Sequence, residues 1–233
     1  MISTKWFNVI VGYKPREFKR FLLENSYDRA RPSGVDLAYA RENYIAGRFI
    51  EEVRSTITYT SPLGEEITNN LVNHKIFSFA FYSLGETRWL LRVDGNPRSL
   101  RTFSRFLSNI LDFNFAISLL VTPPLDVLRH LEQRGVKIIK TTHLYALSLP
   151  LTTAAMGKIE VKATSDGDAL VAFREAFERL EHAIERLTAQ VEFQFSSGAV
   201  SISKSGALVF DDETVPEIVD LFMEYLTESL RIK

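Results

Sequence analysis

The sequence contains no cysteine, which excludes disulfide bonds, zinc sites with thiolate ligands and cysteine nucleophiles. It has only four histidines, His74, His130, His143 and His182. No two of them have the sequence spacing of a metal site. Glycine-rich phosphate loops, the dinucleotide-binding motif, HExxH and the nucleophile elbow are also missing. We therefore expect no metal ion and no cofactor. A non-enzymatic role is favoured, while an enzyme of an unrecognised type stays open.

Long apolar runs are missing as well. The longest, Phe113–Val121, falls well short of the roughly 20 residues that a membrane helix needs. The first residues, Met1–Trp6, contain no basic region followed by a long apolar core, so we expect no signal peptide. A secreted protein could also lack cysteine, so the N-terminal segment and the short apolar runs are what lead us to predict a soluble, cytoplasmic protein that does not contact a membrane.

Positive and negative residues are unevenly distributed along the 233 residues, although the net charge is only −1. Residues 1–140 hold 20 lysine and arginine residues against 14 aspartate and glutamate residues, whereas residues 141–233 hold 8 against 15. This asymmetry has three interpretations. The basic half could bind a polyanion, the basic and acidic halves could attract each other, or the surface could simply be uneven in charge. We predict a net basic α+β domain at residues 1–150 and a net acidic α+β repeat at residues 151–233, packed as one body.

Aromatic residues give the clearest strand signal. In the segment Ile76–Leu84, alternation places Phe77, Phe79 and Phe81 on one face of a predicted strand, where they are expected to form core. A turn at Gly85-Glu86 leads into a second strand. Further strands are predicted near the N-terminus and between residues 44 and 60. Six more are predicted later in the chain, at Phe113–Val121, Val136–Leu149, Lys158–Ala163, Gln190–Phe195, Ala199–Ser203 and Ala207–Phe210. The segment Pro62–Glu65 is typical of a hairpin turn.

Helices are predicted where apolar residues recur every three to four positions behind a capping residue. The predicted helices open at Lys14-Pro15, run from Asn96-Pro97 to about Phe113, follow Thr122-Pro123-Pro124 to Gln133, and span about Ala169–Thr188 and Val215–Leu230. Acidic groups at Asp166-Gly167-Asp168 and Asp211-Asp212-Glu213 precede two of them. We interpret these groups as helix caps rather than metal ligands.

The order of these elements predicts an α+β fold, with antiparallel sheet and the helices on one face. Each half of the chain has a strand, a helix, several antiparallel strands and a second helix. In topology alone this resembles the repeat of TATA-binding-protein-like folds. The resemblance implies two β-α-β(n)-α repeats, and it implies no function, because fold alone does not carry function.

Arginines are concentrated between positions 88 and 105. Arg98, Arg101 and Arg105 share one face of the predicted helix, and Arg88 and Arg92 share one face of the preceding strand. Acidic residues are almost absent from this segment, so intrahelical salt bridges do not explain the arginines. A set of arginines on a rigid face suits phosphate oxygens, although a solvated helix face would carry the same residues.

One fragment is typical of a nuclease. Glu160-Val161-Lys162 on a predicted strand fits the second half of a restriction-endonuclease site, in which carboxylates hold magnesium. The pattern needs a carboxylate earlier in the chain. Asp126 is the candidate, and Glu132 is the one acidic residue between it and Glu160. An alternating charged strand face explains the fragment equally well.

The leading hypothesis from the sequence is a non-enzymatic protein that binds DNA or RNA through the arginine patch Arg88, Arg92, Arg98, Arg101 and Arg105. The alternative is a protein–protein interaction subunit of a larger complex, or a homodimer, that uses a sheet edge or the acidic C-terminal helices and binds no nucleic acid. A magnesium-dependent nuclease is the third and weakest hypothesis.

Overall fold

The computed structural model describes residues 1–28, 30–60, 62–95, 97, 99–152, 155–177, 180–194, 196–211 and 216–231. Within these residues the strands are β1 Ile2–Val11, β2 Ser33–Ala40, β3 Tyr44–Thr60, β4 Glu66–Ser83, β5 Arg88–Asp94, β6 Phe115–Leu119, β7 Lys137–Thr152, β8 Ala155–Lys162, β9 Ile184–Phe193, β10 Ser196–Ser203 and β11 Ala207–Phe210. The α-helices are α1 Pro15–Glu24, α2 Arg101–Ile110, α3 Pro124–Gln133, α4 Ala169–Phe177 and α5 Pro216–Arg231. The predicted α+β class with antiparallel sheet is confirmed.

The chain divides into two compact units. Unit I is Asn8–Ser118, and unit II joins Met1–Phe7 to Leu119–Lys233. In unit I the strands are ordered β2-β3-β4-β5, and each neighbouring pair is antiparallel. In unit II the order is β1-β11-β10-β9-β7-β8, where only residues 2–7 of β1 belong to the unit, and the pairing is again antiparallel throughout. The predicted boundary at residue 150 stays a prediction.

Aromatic side chains form the core of unit I, as the alternation in β4 predicts. Phe79 and Phe81 are buried, and the ring centroid of Phe103 in α2 lies 5.2 Å from that of Phe79. The ring of Phe18 in α1 lies 5.1 Å from that of Phe81. Because Phe79 and Phe81 point to the same side of β4, both helices of unit I cover one face of its sheet.

Helix α2 begins later than its sequence predicts. It starts at Arg101, where the hydroxyl of Ser99 accepts a hydrogen bond from the Arg101 amide at 3.1 Å. The predicted cap, Asn96, lies outside the described residues. Phe103 and Leu107 are the buried residues of α2, so its predicted apolar stripe faces the sheet.

The core of unit II lies around α5 and α3. The ring centroid of Phe222 in α5 is 6.0 Å from that of the buried Trp6 in β1. Arg134, which follows α3, binds Glu224 at 2.6 Å and Glu228 at 3.1 Å on α5. These ion pairs join the two helices along their exposed side. Among the described residues, no helix is both long and apolar enough to cross a membrane.

The predicted helix Ala169–Thr188 is wrong in its second half. Within the described residues, helix α4 runs to Phe177, and a 3-10 turn at Glu181–Ala183 precedes strand β9, which begins at Ile184. The residues Leu187, Ala189 and Val191 alternate toward the core, which is the periodicity of a strand. Pairing of β9 with both β7 and β10 therefore outweighs the local helical pattern.

Two other expectations concern the middle of the chain. The sequence also predicts a short linker at Pro150–Gly157, but the described residues of this segment belong to β7 and β8, where Leu149 pairs with Gly157 and Pro150 with Met156. The two-repeat interpretation stays a prediction. Helix α4 and the 3-10 turn come between β8 and β9, and the described part of the first half has no such insertion between its strands β2 to β5.

Candidate functional site

Strand β5 carries the first two predicted site residues on the sheet face that α2 does not cover. Arg92 pairs with Ala80 in the β4–β5 register, and its guanidinium donates to the Tyr82 hydroxyl at 3.2 Å. Because side chains alternate, Arg88 lies on the same face as Arg92, opposite to the Phe79 face. Arg88 is exposed and makes no ion pair with any described residue.

Arg92 is bound by an acidic neighbour. Its Nε lies 3.0 Å from Asp94 Oδ1, and its Nη2 lies 3.2 Å from Asp94 Oδ2. Burial raises the pKa of Asp94 above the usual value of a carboxyl group, and the Arg92 guanidinium opposes that rise. The guanidinium thus compensates a half-buried carboxylate, which leaves Arg92 poorly placed to bind a ligand phosphate.

The helical arginines lie on the other side of the sheet. Arg101 and Arg105 are exposed on α2, whose buried side faces Phe79, and neither makes an ion pair within the described residues. Arg98, the fifth predicted site residue, lies outside the described residues. The structure therefore brings together Arg101 with Arg105, and Arg88 with Arg92, but it does not bring these two pairs together.

The helical layer of unit I gathers further positive charge. Helix α1 covers the same sheet face as α2 and carries Arg16 and Lys19, which make no ion pair with a described residue. Arg20 of α1 is partly neutralised, since its Nε lies 3.6 Å from Glu24 Oε1. Helix α2 has no acidic residue. A basic surface thus exists on the helices, away from Arg88 and Arg92.

The most unusual element of unit I is a long hairpin. Strands β3 and β4 pair without a bulge from Tyr44↔Tyr82 to Thr60↔Glu66. Pairing of β2 with β3 ends at Glu51, and pairing of β4 with β5 begins only at Phe79. We call the segments Val53–Thr60 and Glu66–Asn73 the β3–β4 arm, because no described strand borders them on either outer edge.

The two faces of the β3–β4 arm differ in polarity. One face carries polar pairs: the Thr56 hydroxyl donates to Asn70 Oδ1 at 3.1 Å, and the Thr58 and Thr68 hydroxyls lie 3.2 Å apart. The other face carries five apolar residues, Val53, Ile57, Tyr59, Ile67 and Leu71, beside the uncharged Ser55, Asn69 and Asn73. Val72 is the one apolar residue of the arm on the polar face.

The apolar face of the β3–β4 arm is uncovered. Ile57, Tyr59 and Leu71 are 49%, 48% and 42% exposed. Since the register is continuous, this face extends the side of the sheet on which Phe49 and Phe79 are buried under α2. The arm therefore carries the core-facing side of the sheet beyond the helices that cover it.

The sequence alone predicts part of this arm. The turn at Pro62–Glu65 and the strand before it are predicted correctly. Sequence reasoning missed the second strand as far as His74 and did not identify the arm as a functional element. Alternation at Ile57, Tyr59, Ile67 and Leu71 would have identified the apolar face, but its exposure depends on where β2 and β5 stop pairing.

The nuclease-like fragment forms a small polar cluster on β7 and β8. Glu160 Oε1 lies 2.7 Å from His143 Nε2 and 3.2 Å from Lys162 Nζ. Hydrogen bonds from Lys162 and then from His143 lower the pKa of Glu160. Asp126, the candidate upstream carboxylate, accepts a hydrogen bond from Arg129 on α3 at 3.1 Å. No group of three or more histidine or carboxylate side chains suited to a metal occurs among the described residues.

Comparison with protein-family models and with curated proteins gives no match for this chain.

Proposed function

We propose that this chain is a non-enzymatic assembly protein that binds another polypeptide through its β3–β4 arm. The observation that carries the proposal is the uncovered apolar face formed around Ile57, Tyr59 and Leu71. Contiguous apolar surface on a soluble protein is typical of a binding site. Here that surface is also continuous with the face that the sheet buries in its own core.

The backbone of the arm supports a polypeptide as the ligand. A two-stranded ribbon is marginally stable in water, and a third strand or a covering element is needed for an independently stable sheet. The outer edges of Val53–Thr60 and Glu66–Asn73 leave main-chain donors and acceptors unpaired by any described strand. An added strand would satisfy them, which is the basis of peptide recognition by strand addition.

The charge of the arm region favours protein over nucleic acid. From position 51 to position 75 the chain has four acidic residues, Glu51, Glu52, Glu65 and Glu66, against Arg54 and Lys75. Arg54 is moreover bound to Glu52, with Nε and Oε1 2.6 Å apart. A net negative surface repels phosphate groups, so the arm and the basic helical layer would serve different ligands.

Changing two apolar residues of the arm tests the proposal. Ile57→Thr combined with Leu71→Thr keeps residues that favour strands but removes apolar area. Each fully buried aliphatic side chain contributes about 1.5–3 kcal/mol, so the double variant should bind its partner about 100-fold more weakly. The measurement is native mass spectrometry of the tagged chain isolated from its source cells. We expect particles heavier than the tagged chain itself (26.6 kDa plus the tag) for the original sequence, and the tagged chain alone for the variant.

The matched control changes the polar face of the same ribbon. Thr58→Ser with Thr68→Ser keeps one hydroxyl at each position and should leave the heavier particle unchanged. Isolation of the unaltered chain at its own mass would contradict the proposal, and so would a particle that survives Ile57→Thr with Leu71→Thr.

Binding of DNA or RNA is a second candidate function, favoured by the exposed positive charge of the helical layer. Arg101 and Arg105 on α2 and Arg16 and Lys19 on α1 cover one side of unit I without ion pairs to described residues. Donors on rigid helices can bind successive phosphates. On this proposal the contacts predicted for Arg88 and Arg92 contribute little, because they lie on the opposite face and Arg92 is bound to Asp94.

The test compares two double variants of equal charge. Arg101→Ala with Arg105→Ala should reduce the salt dependence of DNA or RNA affinity by about 0.9 in log–log slope for each lost phosphate contact. Arg41→Ala with Arg88→Ala removes the same charge elsewhere and should leave affinity within about twofold of its starting value. Titration by fluorescence anisotropy at several salt concentrations measures both. Equal losses in the two variants would refute a helical site.

A further inference from the structure

We infer that the partner of the β3–β4 arm is a second copy of this chain, joined through the outer edge of β4 by an antiparallel pairing centred on Asn70. This inference rests on the proposed function and specifies the occupant of the arm. Its support comes from the length of the free edge, from symmetry, and from the order of charges along β4.

The two edges of the arm are unequal. On β3 the free edge begins only after Glu52, whose amide donates to the Pro32 carbonyl at 2.7 Å, and it ends at Thr60. On β4 it extends from Glu66 to Ser78, where pairing with β5 begins at the next residue. The β4 edge is therefore the longer template for another strand.

Symmetry makes this edge self-complementary. Two identical strands that pair antiparallel are related by a two-fold axis perpendicular to the sheet, so each residue meets a residue on the same face. The apolar faces of the two arms would then lie side by side. Joining the two ribbons produces four strands with one hydrophobic face, which meets the requirement for a stable sheet.

Charge selects the register. With the axis at Asn70, Glu65 lies opposite Lys75 of the second copy at both symmetric sites. An axis at Leu71 would instead place Glu66 opposite Ile76 and Lys75 opposite Ile67. An axis at Asn69 would place Glu66 opposite Val72 and Lys75 opposite Leu63, and Glu65 would meet the uncharged Asn73. Opposite charges directly across a strand pair stabilise it, so the register at Asn70 is preferred.

This register also brings the apolar side chains within diagonal reach of one another. Leu71 lies directly opposite Asn69 of the second copy, and Leu71 and Ile67 of the second copy are its diagonal neighbours, within reach of long side chains. Tyr59 pairs with Ile67 in its own arm, so the apolar surface of each arm extends from the new interface toward the tip. Between residues 55 and 60 and between residues 67 and 73 no charged residue interrupts this surface.

Engineered cysteines test the pairing directly, since the chain has no cysteine of its own. At Asn70→Cys the two introduced thiols would face each other across the axis, with Cα atoms about 4.5–5.5 Å apart, which suits a disulfide. Thr56→Cys is the matched control. Thr56 pairs with Asn70, so either substitution removes the same hydrogen bond, but Thr56 lies on β3 rather than on the β4 edge. Under mild oxidation of the full chain we expect about ten times more covalent dimer from Asn70→Cys.

Charge reversal provides an independent readout that does not depend on a thiol. Lys75→Glu places two acidic residues opposite each other at both symmetric sites and should weaken the dimer about tenfold. Adding Glu65→Lys restores an opposite pair and should restore the dissociation constant. Sedimentation velocity over a range of concentrations measures both variants beside the unaltered chain.

The outcomes separate this inference from the proposed function. A dimer that crosslinks at Asn70→Cys, and that Glu65→Lys rescues from Lys75→Glu, supports the inference. Crosslinking at Thr56→Cys instead, or a purified chain that stays monomeric at high concentration, overturns it. If source cells then yield a complex with a different protein that Ile57→Thr with Leu71→Thr abolishes, the proposed function stands without it. If no heavier particle forms at all, both fail.

Discussion

Replacing Phe103 by alanine is expected to lower the free energy of unfolding of unit I by about 3–5 kcal/mol, the usual cost of removing a buried aromatic ring. The ring is almost fully buried, and its centroid lies 5.0 Å from that of Phe49 and 5.2 Å from that of Phe79. Together with Phe106, whose ring centroid lies 5.4 Å from that of Phe49, it is how α2 contacts the base of the long hairpin. A loss of this size is a large fraction of the 5–15 kcal/mol typical of a whole domain.

Urea titration followed by tryptophan fluorescence measures the effect in the relevant unit. The chain has two tryptophans, of which Trp89 lies in unit I and Trp6 in unit II. In a Trp6→Phe background the signal of Trp89 reports unit I. Phe113→Ala removes the same ring from a site that is 78% exposed and should change stability by no more than about 0.5 kcal/mol. Equal effects of the two substitutions would contradict the packing described for α2.

The sequence predicts the core of unit I well because one short pattern determines it. Phe77, Phe79 and Phe81 occupy alternate positions in a strand, and alternation can place only one face of a strand against a core. The two helices follow from the same logic, since each places its apolar stripe on that face. Local periodicity and burial agree here, so tertiary structure adds little to the prediction.

The same reasoning fails between Phe177 and Thr188 because two periodicities overlap there. Leu180, Ile184 and Leu187 fit a helical stripe, yet Leu187 also begins the alternating series that β9 buries between β7 and β10. Nothing local distinguishes the two patterns. Pairing with strands distant in sequence decides the outcome, and a single sequence does not reveal those partners.

The candidate site is less predictable than the fold, for a geometric reason. The sequence indicates that Arg88 and Arg92 share a face of β5, and that Arg101 and Arg105 share a face of α2. Whether these faces coincide depends on which side of β5 the helix covers. The helix covers the Leu91 side, so the two arginine pairs lie apart. Arg92 is also partly buried in an ion pair with Asp94, so its guanidinium is poorly placed to bind a phosphate.

Replacing Asp168 by alanine is the second change with a large expected effect, a loss of about 1.5–5 kcal/mol in the stability of unit II. Its Oδ1 accepts hydrogen bonds from the amides of Leu170 at 2.8 Å and Val171 at 3.0 Å, which caps α4 as the sequence predicts. Its Oδ2 accepts from the amide of the buried Thr141 at 2.8 Å. Loss of the cap costs about 0.5–2 kcal/mol, and the unsatisfied buried amide costs about 1–3 kcal/mol more.

The position of Thr141 explains why the carboxylate matters to the sheet. The β7–β9 register shifts between Thr141 and His143, so this part of the ladder is irregular, and Asp168 supplies an acceptor there. Asp166→Ala is the control, since Asp166 is exposed and makes no hydrogen bond within the described residues. In a Trp89→Phe background, urea titration of the Trp6 signal should show the loss for Asp168→Ala alone. A similar loss for Asp166→Ala would mean that negative charge near the helix start, rather than hydrogen bonds from these three amides, stabilises α4.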